Sequence, residues 1–432
     1  MTRLDLNAEL TIARLGQRGE GLALSDRGFV AVPFALPGEV VVAEIDGDRA
    51  RLVEIRTPSP DRIPAFCPVY SICGGCAVQA LAAEPYAAWK QGLVVDGLAR
   101  ARLEAPVAAL IDAHGEGRRR ATFHARVEED AGGRKRIELG FMQARAHRIV
   151  PIAACPILSP AMAGAIEAAR AAATVLIPLD KPLDVVVTAS LEGLDVDLRG
   201  TGPLSFAYRQ ALITVAERFD LARISNHGET IVERRTPLVR MGASLVAPPA
   251  GAFLQATEAG ELALAELVLA ATSGATKIAD LFAGVGTFAL RLAERATVHA
   301  VEGDKAATLA LARAAGASKG LKALTVETRD LFQRPLAGLE LAAYEAVVFD
   351  PPRAGAEAQA RTLAESKVPL VVGVSCNVQS FSRDARILVD GGYVLEGVTP
   401  VDQFRHSAHV EMVGVFRRPA PVRSKRPRRL LG

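Results

Sequence analysis

The rhythm of hydrophobic and polar positions changes three times along the chain. Up to residue 58 the apolar runs are short (TIARLG, GFVAVPF, EVVVAEI, RLVEI) and are broken by Gly, Pro and Asp, the spacing of brief strands joined by tight turns. Five or so strands in under 60 residues predict a small β-barrel over 1–58. Pro58-Ser59-Pro60 reads as a linker. Residues 61–235 hold a cysteine cluster, helical spacing over Ala82–Leu103 and strand-like segments such as RIELGFM and LDVVVTA, which predicts a mixed α+β middle domain. After Pro237 the strands KIADLF, TVHAVEG, ALTVET, AYEAVVFD and VPLVVGVS alternate with Ala-rich helical stretches such as 305–318. That alternation predicts an α/β domain over 236–418, a parallel sheet covered on both faces. YVLEGVTPV and HVEMVGVFRR, separated by a short connection, add an antiparallel edge. No internal repeat is visible.

A chain of 432 residues is long enough for two or three cores. No stretch is long and apolar enough to span a membrane, and the N-terminus lacks a signal-peptide core, so a cytoplasmic protein is expected. The net charge of +3 is unevenly placed: seven Lys and Arg and no acid lie from Arg417 to Gly432. A Pro-rich basic tail over 419–432 buries too little to fold alone and suits phosphate, or is simply solvated.

In Asp280-Leu281-Phe282-Ala283-Gly284-Val285-Gly286-Thr287-Phe288 a strand gives way to a helix. Glycines there let the backbone approach a ligand at the carboxyl end of the sheet, although one G-x-G often serves only the turn. The next strand ends at Glu302, 22 residues after Asp280, where an acid can accept from ribose hydroxyls. Asp330 follows the third strand, in the place to meet an adenine amino group. Single acids in loops are commonly solvated, but acids at three successive strand ends point to a nucleoside. With no second G-x-x-G step and no basic cradle for phosphate, S-adenosylmethionine fits better than NAD.

The fourth strand ends in Asp350-Pro351-Pro352-Arg353, a turn stiffened by two prolines. Arg stands where enzymes that methylate amines often carry an aromatic residue. The fifth strand ends in Val374-Ser375-Cys376-Asn377, which puts a thiol at the same edge. A buried cysteine is often inert, but a thiolate here suits one demanding reaction. Carbon 5 of uracil takes a methyl group only after a nucleophile adds at carbon 6, and a base must then remove the carbon 5 proton. His406, His409 and Glu411 are candidates for that base, and spacing does not choose among them.

Four further cysteines, Cys67, Cys73, Cys76 and Cys155, follow C-x5-C-x2-C and then 78 intervening residues. Four thiolates suit a [4Fe–4S] cluster or a tetrahedral zinc equally by spacing. A radical S-adenosylmethionine enzyme needs C-x3-C-x2-C and three ligands, which this pattern is not. The small barrel, the basic runs Arg118-Arg119-Arg120 and Arg134-Lys135-Arg136, Arg145, His147, Arg148, and Phe141 as a stacking platform are candidate RNA contacts.

Taken together, DLFAGVGTF, DPPRAG, VSCN and HSAHVE resemble the bacterial RNA 5-methyluridine methyltransferase family along nearly the whole chain. The resemblance implies a class I methyltransferase domain, a TRAM-type barrel, Cys376 as nucleophile and Glu411 as base. It also implies cofactor contacts from Gln255, Phe282, Thr287, Glu302, Asp330 and Asp350. Thr stands at 287, and at 257, where the family often has Asn. CGGC with a distant ACP is similar to members that carry a [4Fe–4S] cluster and act mostly on 23S ribosomal RNA; because the target base must leave its stack, a single-stranded loop is the expected substrate, and the chain is expected to be a monomer. The alternatives are the same chemistry on a tRNA uridine, or an RNA-binding protein with an idle fold.

Overall fold

The computed structural model describes residues 5–419 apart from 27, 131, 145 and 147, so Arg145, His147 and the tail beyond 419 lie outside the described residues. Asp5–Leu15, Gly21–Ser25, Gly28–Val32, Val40–Asp46 and Arg49–Thr57 form a closed barrel. Alternate residues, among them Leu10, Ile12, Val30, Val32, Val41 and Ala43, fill its interior, as period-two patterning requires. The barrel docks through Gly16, whose carbonyl accepts from Trp89 Nε1 at 3.1 Å.

The middle domain is a seven-stranded sheet. Phe123, Leu139, Val185, Val187 and Val196 pack against the helices Ala165–Val175 and Phe206–Arg218. The first of these helices buries Ala165, Ala168, Ala169, Ala172 and Ala173, and such small side chains let it lie close to the strands.

The third unit positions the chemistry. Its strands are β1 (Lys277–Leu281), β2 (Thr297–Glu302), β3 (Leu324–Thr328), β4 (Ala346–Phe349), β5 (Leu370–Ser375), β6 (Val394–Asp402) and β7 (Glu411–Arg417). They run in the order β3-β2-β1-β4-β5-β7-β6. The first five are parallel, and β7 is antiparallel to both β5 and β6. The central strands β4 and β5 are buried along their whole length, and successive residues of the sheet enter opposite cores. Ile278 and Val348 face one, Ala279 and Val347 the other. This is the class I methyltransferase sheet.

The sheet also recruits a piece of chain from before the middle domain. Ile111–Asp112 pairs in parallel with the end of β6. The helix Ala83–Arg100 lies on the helix Val378–Asp390 at Gly97, where a Cβ would run into the Val378 side chain. Residues 83–113, grouped by sequence with 61–235, thus pack with the catalytic sheet. Among the described residues no helix is long and apolar enough to cross a membrane.

Candidate active site

The carboxyl ends of β1 to β3 carry the nucleoside-type groups. Gly284 has φ +55, and the space where its Cβ would stand is open, whereas a Cβ on Gly286 would strike Leu311. The first glycine therefore leaves room for a ligand, and the second serves packing against the helix Lys305–Ala317. Glu302 receives the Gly284 N–H at 3.0 Å and the Asp304 N–H at 2.8 Å. Asp330 is exposed and caps its own turn through the Phe332 N–H at 2.9 Å. Phe282, held at φ +60, meets Phe332 with ring centroids 5.4 Å apart. The Thr287 carbonyl accepts from Arg291 at 2.7 Å. Asp280 is wholly buried and neither carboxyl oxygen makes a well-formed hydrogen bond in the protein, the Ala289 backbone N–H only partly offsetting its burial. Burial, with Asp350 and Glu302 adding, raises its pKa well above the usual range. An orphaned carboxyl under an open glycine turn, flanked by acids at the next two strand ends, fits a cationic nucleoside such as S-adenosylmethionine.

The reactive groups stand at the ends of β4, β5 and β7. The β5–β7 register runs from Leu370 opposite Arg417 to Ser375 opposite Met412, and one more step sets Cys376 against Glu411. Asn377 then caps the helix Val378–Asp390 by accepting from the N–H groups of Gln379 and Ser380. Burial raises the Cys376 thiol to about 11, with Glu411 and Asp350 adding and Arg353 opposing. Burial likewise raises Glu411 to about 8, reinforced by Asp350, and Asp350 to about 7. Two carboxyls and a thiol share a poorly solvated pocket, and each disfavours the charge of the others.

A buried network holds this pocket. Gln403 donates to Glu411 at 3.0 Å and to Gln255 at 2.6 Å, and Gln255 donates to Asp350 at 3.4 Å. Beneath it Lys90, fully buried, pairs with Asp402 at 2.7 Å and donates to the carbonyls of Phe404 and His409. Tyr86 completes the knot by donating to Asp402 at 2.5 Å. Thr257 caps the helix Glu258–Ala271, and its hydroxyl donates to Ala113 at 2.6 Å. The two histidines have their own partners. His406 packs on Tyr86 and Phe66, and His409 meets Arg353 at 3.3 Å. Burial lowers both imidazoles to about 4.

Cys67, Cys73, Cys76 and Cys155 line one cavity of about 340 Å³ together with Arg118, Phe141, Phe404 and Arg405. Among the described residues no three His, Cys, Asp or Glu converge closely enough to hold a single metal ion. The cysteine segment joins the catalytic unit directly, because the Ala77 and Val78 N–H groups both donate to the His406 carbonyl.

The expected RNA contacts divide. Arg134, Lys135 and Arg136 are exposed, with Lys135 paired to Asp180 at 2.9 Å. The run Arg118-Arg119-Arg120 turns inward instead. Arg118 lies over the Phe404 ring at 5.3 Å, Arg119 pairs with the buried Glu261, and Arg120 lines the cysteine cavity. Phe141 packs on Phe123 at 5.4 Å, a core contact. Sequence reasoning missed Lys90, Asp402 and Gln403. An apolar helix face containing a lysine, Ala82–Leu103, was the one available signal.

No family model matches the chain. Curated relatives nonetheless align with nearly all of it. An uncharacterized RNA methyltransferase of Brucella suis is 45% identical over 408 residues, 94% of this chain and 97% of its own. One from Caulobacter vibrioides is 45% identical over 416 residues, 95% and 100% of the two chains. A 23S rRNA (uracil(1939)-C(5))-methyltransferase of Halomonas elongata is 33% identical over 456 residues, 96% of this chain and 90% of its own. Among solved structures, the Pyrococcus abyssi tRNA (uracil-54, C5)-methyltransferase with S-adenosyl-L-homocysteine shares the fold. Its TM-score is 0.71 at 21% identity, covering 94% of this chain and 99% of that one. A class I sheet with a thiol and a carboxyl at its reactive edge, and relatives of this name along its length, lead to one conclusion: the chain belongs to the S-adenosylmethionine-dependent RNA 5-methyluridine methyltransferase family.

Proposed function

We propose that the protein forms 5-methyluridine in 23S ribosomal RNA, with Cys376 as the covalent nucleophile and Glu411 as the base. The observation that carries this reading is that Glu411 acts on the Cys376 thiol in one buried pocket, at the ends of strands whose register runs up to Ser375 opposite Met412. The named activity of the Halomonas relative supports ribosomal RNA as the substrate.

In this mechanism Cys376 acts as the thiolate, a form that burial disfavours and that Arg353 and the N-terminus of the helix capped by Asn377 help to hold. The sulfur bonds carbon 6 of the flipped-out uracil, and the ring electrons move to carbon 5 and the carbon 4 carbonyl. Bound S-adenosylmethionine supplies an electrophilic methyl group on a positively charged sulfur. Carbon 5 takes that methyl, the sulfur–methyl bond breaks, and a neutral thioether leaves. Glu411 then removes the carbon 5 proton, the ring double bond re-forms, and the carbon 6–sulfur bond breaks to return the thiolate. Gln255, Phe282, Thr287, Glu302, Asp330 and Asp350 would hold the methyl donor.

The four remaining cysteines we assign to a [4Fe–4S] cluster. That all four cysteines line one cavity is what supports a shared group there, and the likeness of the cysteine pattern to cluster-bearing members favours iron–sulfur over zinc. Burial raises the thiols of Cys73, Cys76 and Cys155, so each gains from a cationic partner. The cluster's role is structural anchoring.

Three measurements check this account. With labelled S-adenosylmethionine and RNA from cells lacking the gene, wild type should label 23S ribosomal RNA and Cys376→Ala should not. Equal labelling by both proteins rejects the covalent route, and labelling confined to tRNA moves the substrate. Anaerobic protein should be brown and carry about four irons per chain, and a colourless protein with stoichiometric zinc overturns the cluster. The third concerns pH. Glu411 in the folded state holds its proton up to about 8, whereas the unfolded carboxyl loses it near 4.5. The unfolded state thus binds fewer protons in between, and stability falls as pH rises through that window. Glu411→Gln has no proton to lose, so its Tm should gain on wild type between about pH 5 and pH 8. A Tm difference constant across that range contradicts the raised pKa.

A further inference from the structure

Gln403 is wholly buried, and its partners dictate which way its amide points. The Oε1 atom accepts the backbone N–H groups of Ala256 at 2.8 Å and Thr257 at 3.4 Å. Turned over, the amide would set its NH₂ against those two donors and its oxygen against Glu411. The Nε2 protons are therefore committed to Glu411 Oε1 and Gln255 Oε1. Gln255, with its oxygen so engaged, directs its own NH₂ toward Asp350 Oδ2. The hydrogen bonds run one way, outward from Gln403 toward two carboxyls. Room for it comes from Gly260, where a Cβ would meet Gln403 Cβ at 2.6 Å. Its chain neighbours Asp402 and Phe404 are both fixed by Lys90.

We propose that Gln403 is the positioning residue of the base. Its NH₂ pins one oxygen of Glu411 and leaves Oε2 as the proton acceptor. Its bond stabilises the carboxylate form against a pocket that otherwise favours the acid. Through Gln255 the same amide ties the base to Asp350, so proton removal and methyl delivery share one rigid frame. A satisfied core glutamine with no further role would need no carboxyl partner, yet here one of two protons is spent on one.

The inference rests on Glu411 acting as the base, and the test separates the two. In a single turnover with labelled S-adenosylmethionine and 23S ribosomal RNA, a weakened base leaves methyl transfer intact. The methylated RNA then stays bonded to the protein through sulfur and survives denaturation. Glu411→Gln should accumulate this labelled adduct, and its failure to do so rejects the base assignment itself. Given that adduct, Gln403→Met should slow its release by about 10- to 100-fold, the worth of one hydrogen bond to a charged group. Methyl transfer, which Gln403 reaches only through Gln255 and Asp350, should fall less than release does. Release at the wild-type rate, or an equal loss of transfer and release, overturns the proposal. Gln403→Glu guards against misfolding of the Met variant, because it still accepts from Ala256 and Thr257 but donates to Glu411 only when protonated. Its release rate relative to wild type should rise as pH falls, and a ratio independent of pH also overturns the proposal.

Discussion

The antiparallel pairing of β5 with β7 is the constraint from which the site follows. Parallel strands alone would bring groups to one edge from successive βα turns, each at the start of its own helix. A strand inserted the other way begins where its neighbour ends, so Cys376, just past β5, stands across from Glu411, the first residue of β7. That arrangement needs the connection from Asp402 to Glu411 to turn back sharply inside the protein. A lysine with no exposure makes the turn possible. Lys90 meets the Asp402 carboxylate and two carbonyls of the same segment, and removing either charge would strand the other in an apolar setting.

The same segment is where the units of the chain meet. The His406 carbonyl receives two N–H groups from the residues after Cys76, and Phe404 carries Arg118 on its ring. A second buried junction lies beside it, where Glu261 takes Arg119 of the middle domain on one side and Arg291 on the other at 2.7 Å. Arg119 also donates to the Gln255 carbonyl, and Arg291 to that of Thr287. The contacts joining the domains thus run through residues adjacent to the reactive pocket.

Much of this was legible in the sequence, for reasons that differ by element. The barrel and the alternation of strands with helices could be read because short broken runs and strand–helix alternation are distinct patterns, whereas the insertion of β7 between β5 and β6 had no such signature. The strand-end residues Glu302, Asp330, Asp350 and Cys376 follow directly from that alternation. Strand Ile111–Asp112 has two residues, too few for any period, so its place beside β6 had no signature. The inward turn of Arg118-Arg119-Arg120 was hidden because Glu261, 142 positions from Arg119, is invisible to local patterning. Lys90 and Gln403 carried no signal of their own, since nothing in one dimension shows a polar side chain enclosed on every side.

The central claim is a sulfur–carbon bond between Cys376 and the target uracil. 23S ribosomal RNA transcribed with 5-fluorouridine tests it most directly, because a fluorine at carbon 5 leaves no proton for Glu411 to remove. The enzyme should be trapped with its RNA, and mass mapping of the digested complex should place the nucleotide on Cys376. A nucleotide found on another residue, or no trapped complex from an enzyme that methylates ordinary uridine, would contradict the account.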